Sequence, residues 1–132
     1  MMNYVEGRPF WPARGTTMIA STFSNGHIDT YKGRRNVKAG WMITGPQGDF
    51  FTGHSQDRDT ARKTAESKAP YLKGAPRHVD KPATRHVTVA YLQYFAKLAR
   101  EHGFASHKAW YDDYAAKIAA FRSQCRIEIV EL

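Results

Sequence analysis

At 132 residues the chain has the size of one ordinary domain. Hydrophobic residues at 42% and aromatics at 13% suffice for one core and exclude a disordered chain. The net charge is +8, the longest apolar runs are far short of the roughly 20 residues of a membrane span, and the single cysteine excludes an internal disulfide or a cysteine-rich zinc site.

Residues 1–15 carry Glu6, Arg8, Arg14 and two prolines without an apolar stretch, so no secretory signal is expected there. They read as a loosely packed lead-in, and with the lone Cys125 they point to a cytoplasmic protein. Thr16 to Phe23 alternates as a strand, with Ile19 and Phe23 on one face. Asn25-Gly26 tolerates the positive φ angles of a two-residue hairpin turn, and His27 to Lys32 reads as the return strand. Ala39 to Thr44 places Ala39, Trp41 and Ile43 on one face, Gly45-Pro46-Gln47-Gly48 is a turn, and Asp49 to Ser55 is its partner strand.

The period then changes. Asp57 or Asp59 can cap a helix to about Ala69, whose Ala61, Ala65 and Ala69 form a stripe fit to lie close against a sheet. The glycines and prolines of residues 70–83 mark a surface connection. Thr84 opens a second helix with Val87, Tyr91, Leu92, Phe95, Leu98 and Ala99 on one stripe. Gly103 closes it, and Ser106 caps a third that turns Trp110, Tyr114, Ile118 and Phe121 inward. Arg126 to Leu132 alternates as a last strand. The expected fold is α+β, residues 1–132 forming a single domain: an antiparallel sheet of four to five strands, a meander plus the C-terminal strand, with three helices, two of them an αα-hairpin.

Charge is uneven along the chain. Residues 58–86 hold eight Lys/Arg against three Asp/Glu, and a second knot joins Lys32, Arg34, Arg35 and Lys38 without an acid. Clustered cations attract polyanions, because neutralising phosphates releases condensed counterions. A basic hairpin loop can reach a phosphate groove while the sheet holds it, and Arg58 and Arg62 share a helix face. The bland alternative is a solvated, solubilising surface.

The unit Ala39 to Ala69, a hairpin followed by an alanine-lined basic helix, resembles the end of a double-stranded-RNA-binding domain and the arm-binding domains of phage integrases. The resemblance is carried by Gly53, Ser55 and Ala61-Arg62-Lys63. It departs from the first pattern because the basic pair does not sit at the helix start and no leading helix is evident. Hairpin-then-helix units recur in unrelated folds, so membership does not follow.

Other constellations are weaker. The helices around Gly103 outline a helix-turn-helix, but Asp112 and Asp113 stand where a recognition helix needs polar or basic groups, which favours an ordinary αα-hairpin. The six histidines show no helical pair spacing for a metal. His54, Ser55 and Asp57 are triad letters, yet near neighbours at a strand end rarely point at one another. Asp59 with Glu66-Ser67-Lys68 echoes a metal-dependent nuclease, but on a helix rather than the strand that chemistry needs.

The first expectation is a small non-enzymatic nucleic-acid-binding protein of low specificity, with no cofactor and no metal. It would contact phosphates through Lys32, Arg34, Arg35, Lys38, Arg58, Arg62 and Lys63. The alternative is a phage or mobile-element inhibitor or adaptor that uses a sheet face exposing Phe50, Met42 or Tyr31 on an acidic host protein surface or a nucleoprotein, for example a defence complex. A small enzyme using His54 or His27 beside arginines is the third.

Overall fold

The computed structural model describes residues 17–33 and 36–132, together with the backbone of residues 4–5 and 8–9. Arg34, Arg35 and most of the expected lead-in therefore lie outside the described residues. Tyr4–Val5 (β1) and Arg8–Pro9 (β2) form a short antiparallel pair. The chain divides into two compact units, residues 1–43, 50–67 and 127–132 in one, and 44–49 and 68–126 in the other. The class is α+β, with three helices and antiparallel sheets.

In the first unit, Thr17–Thr22 (β3) and Ile28–Gly33 (β4) make an antiparallel hairpin in which Ser21 faces Asp29 and Ile19 faces Tyr31. Its turn differs from the expected two-residue type. Phe23 N–H donates to His27 O at 2.9 Å, Gly26 N–H donates to Phe23 O at 2.9 Å, and only Gly26 takes a positive φ, +87°. The loop is thus three residues long with glycine in the left-handed position, and Asn25 contributes its side chain, which accepts from His27 N–H at 2.9 Å.

Ala39–Thr44 (β5), Phe50–Ser55 (β6) and Arg126–Glu131 (β7) form a second sheet in the order β6-β5-β7. The sheet expected as one meander is therefore two. A strand has two hydrogen-bonding edges, and both edges of β5 are taken. Lys38 N–H donates to Ser55 O at 3.1 Å beside β6, and Leu132 N–H donates to Lys38 O at 2.9 Å beside β7. No edge remains for β4.

The central position of β5 also overturns its expected one-sided burial. Ala39 to Ile43 are all buried, with Met42 at 1% exposure, so Met42 is not among the residues a second sheet face exposes. Phe50 and Phe51 on the edge strand β6 remain exposed. Trp41 packs flat over Gly53, where a Cβ would overlap the indole ring. Arg58–Ser67 (α1) lies against β6 with Ala61 and Ala65 fully buried, and Asp57 caps it by accepting from Thr60 N–H at 2.7 Å.

The second unit holds the Gly45–Gly48 turn, a one-turn 3-10 helix at Ala69–Tyr71, and two long helices, Val89–Glu101 (α2) and His107–Gln124 (α3), packed together. Pro70 sits inside the short 3-10 turn. Asp49 tethers the following chain by accepting from Lys73 N–H at 2.7 Å. The connection to α2 runs on the surface but is pinned by Leu72 and Val79, both buried. Helix α2 begins five residues later than expected, because His86 takes φ +55° and Thr88 is the residue whose side chain accepts from Tyr91 N–H.

The α2 end is a Schellman cap: Gly103 at φ +86°, Gly103 N–H to Arg100 O at 3.0 Å, and Phe104 N–H to Ala99 O at 2.9 Å. Ser106 then caps α3 through Ala109 N–H, as its sequence position suggested. Tyr114, Ile118 and Phe121 are buried as expected, whereas Trp110 is only half-buried and Leu92 is exposed.

Candidate nucleic-acid interface

The seven residues expected to meet phosphate have unequal surroundings. Lys32 is exposed on β4, and Lys38 is exposed just before β5. Lys38 and Arg58 stand at the same end of the β5–β6 ladder, since Lys38 bonds Ser55 three residues before Arg58. Arg58 is exposed there, its Nη1 3.6 Å from Glu131 Oε1 of an equally exposed side chain. Arg62 and Lys63 are exposed on α1, beside Asp59 and Glu66 of the same helix. Over the whole sequence of the first unit, nine Lys/Arg meet seven Asp/Glu. A field so nearly balanced is a weak trap for polyanions.

The second unit carries the excess. It holds eleven Lys/Arg against five Asp/Glu. Two of those acids are engaged by lysines of their own helix, Asp112 by Lys108 Nζ at 2.6 Å and Asp113 by Lys117 Nζ at 2.9 Å. Asp80 meets His78 at 3.0 Å. Lys73, Arg77, Lys81 and Arg85 are exposed and form no ion pair among the described residues.

Aromatic rings accompany these cations. A cleft of about 440 Å³ is lined by Pro76, Arg77, Val79, His102, Phe104, Trp110, Asp113, Tyr114 and Lys117. In it the His102 ring stacks on Trp110, centroids 4.7 Å apart and planes at 14°. A neighbouring cleft of about 310 Å³ shares Val79 and Tyr114 and adds His78, Lys81, Tyr111 and Arg122. Burial pushes the Tyr114 phenol upward, so its hydroxyl keeps its proton and donates to His78 Nδ1 at 3.2 Å, while His78 Nε2–H faces Asp80 Oδ1 at 3.0 Å. The α2–α3 corner is closed by His107, stacked on Phe95 at 4.4 Å and donating from Nε2 to Asp80 O at 2.8 Å. Among the described residues, no three His, Cys, Asp or Glu side chains converge where a cation could be held.

Three residues that were never grouped in the sequence reading meet in the first unit. Ser21 Oγ lies 2.8 Å from His54 Nε2, and Asp29 Oδ2 lies 3.3 Å from His54 Nδ1. Those are the contacts of a nucleophilic triad skeleton. Ser21, however, has no exposed surface, the His54 side chain is 2% exposed, and Gly40 presses so closely on Ser21 that a Cβ would overlap the hydroxyl. A substrate has no route to that oxygen. Burial holds the His54 pKa below its ordinary 6.5, against the opposing pull of Asp29. The neutral ring then takes the Ser21 proton in a hydrogen bond and turns Nδ1–H toward Asp29. His27, the other histidine singled out in the sequence, stands apart against the edge of Phe50. The only sequence signal for the network was the pairing of Ser21 with Asp29 across the hairpin, and His54 comes from another sheet.

No helix among the described residues is long and apolar enough to cross a membrane. Comparison with protein-family models, with curated proteins and with solved structures returned no match.

Proposed function

We propose that the protein is a non-enzymatic nucleic-acid-binding module of low sequence specificity, and that its contact surface is carried by the second unit. The observation behind this reading is the segregation of charge: eleven cations against five acids in that unit, with Lys73, Arg77, Lys81 and Arg85 exposed and without carboxylate partners among the described residues. Such cations release counterions when they meet phosphates, which favours binding irrespective of sequence. Of the residues singled out from the sequence, Lys38, Arg58, Arg62 and Lys63 are auxiliary in this proposal, Arg58 lying near Glu131. A binding titration against salt tests it. Affinity should fall steeply as salt rises, and the joint replacement Lys73→Glu, Arg77→Glu, Lys81→Glu and Arg85→Glu should flatten the slope. Absence of binding at low salt removes the proposal.

A protein-binding adaptor is the second reading. It is favoured by α2, on which Val89 at 68% and Leu92 at 53% are exposed one turn apart on the same face. A stoichiometric partner that co-purifies through nuclease treatment, and is lost in Leu92→Lys, would put this reading first.

A further inference from the structure

Resting on the nucleic-acid reading, we infer that the strand bound is single, and that the two clefts flanking residues 76–81 each receive an unstacked base. In a duplex the bases are stacked and paired, so only phosphates and groove edges reach a protein surface. A single strand offers free π faces, and an aromatic surface beside cations captures them without reading sequence.

Both components are present in each cleft. The first is lined by Arg77 together with Trp110 and Phe104, and its one acid, Asp113, is paired with Lys117 at 2.9 Å. The second is lined by Lys81, Arg122 and Tyr111, and no acid lines it. At about 440 and 310 Å³ the clefts sit at the small end of the range of about 300–1,000 Å³ typical of small-ligand sites. They share Val79 and Tyr114 as a common wall, so they are neighbours on the surface of the second unit. Val79 is 5% exposed and Tyr114 7%, which makes the partition between them a fixed part of the packing. Exposed cations line both clefts, Arg77 in one and Lys81 and Arg122 in the other, suited to the phosphates beside a bound base.

The test uses the full chain and a 12-nucleotide single strand containing 2-aminopurine, beside the same sequence as a duplex, at low salt. The expected result is single-strand affinity higher by about tenfold or more, with quenching of the 2-aminopurine as it stacks on a ring. Photo-crosslinking of a 5-iodouracil strand to the unaltered protein should label residues 104–114, a readout that does not depend on any variant folding. Arg77→Glu with Lys81→Glu, both exposed positions, should lower the affinity and the labelling together. Equal affinity for strand and duplex, or labelling confined to other segments, overturns this inference while salt-dependent binding keeps the module reading standing. Absence of binding to either nucleic acid overturns both.

Discussion

Ser21 and His54, thirty-three residues apart, share a 2.8 Å hydrogen bond that ties the β3–β4 hairpin to the edge strand of the three-stranded sheet. Beside it, Ser24 bonds Glu128 of β7 through both its N–H, at 2.9 Å, and its hydroxyl, at 2.6 Å. The hairpin is thus held at two points by side chains instead of by a continuous ladder. The Ser24 contact is exposed, whereas the Ser21–His54 bond lies in the interior, where the low local dielectric penalises any polar group left alone.

The His54 site makes stability depend on pH. Its folded pKa lies below the ordinary 6.5, chiefly through burial, so the unfolded chain takes up the proton first. Stability from this site is complete above 6.5 and is lost as the pH falls from 6.5 to the lower folded value. Urea midpoints at pH 7.5 and pH 5.5 should show the drop, and His54→Gln should reduce the difference between them. An unchanged pH dependence in that variant would place the effect elsewhere.

Gly40 should be intolerant of any side chain. A Cβ there overlaps Ser21 Oγ and comes within 2.7 Å of Ser21 Cβ. Gly40→Ala is expected to cost about 1–3 kcal/mol of overpacking. Ser21→Ala is expected to cost about 1–3 kcal/mol by leaving the His54 nitrogen unsatisfied. Combining Gly40→Ala with Ser21→Gly should recover part of the loss, because the colliding atoms are gone. Denaturant midpoints of the three variants decide it.

The αα-hairpin depends on its caps. A Cβ on Gly103 would meet nothing within 4 Å, so the cost of Gly103→Ala comes from the backbone alone at φ +86°. A cost of about 1–2 kcal/mol is expected, and less for Gly103→Asn, which tolerates the left-handed region. Thr88→Ala removes the acceptor for Tyr91 N–H and should cost about 1 kcal/mol. Thermal unfolding followed by circular dichroism reads both.

Charge reversals should rank by unit. Arg77→Glu with Lys81→Glu is expected to weaken nucleic-acid binding more than Arg62→Glu with Lys63→Glu, because the latter pair lies among the acids of α1. Glu131→Gln frees Arg58 from an exposed pair, so stability should change by less than about 0.5 kcal/mol. Anisotropy titrations at a fixed low salt supply the ranking, and a reversed order would return the contact surface to the first unit.

Local rules made much of this protein legible in its sequence. Alternation marked β3, β4 and β7, the alanine spacing marked the buried face of α1, and Asp57, Gly103 and Ser106 announced helix boundaries, because each of these depends on residues within a few positions. What required the tertiary structure was every relation between distant segments. That β7 occupies the second edge of β5 split the expected meander and buried Met42. That Glu131 lies near Arg58 set an acid beside a cation of the expected surface, and that residues 76–81 lie against α3 assembled the clefts beside Tyr114. Pairing, burial on a second face and charge neutralisation are non-local interactions, set by which surfaces the folded chain brings within a few ångströms, and a linear pattern carries no record of that.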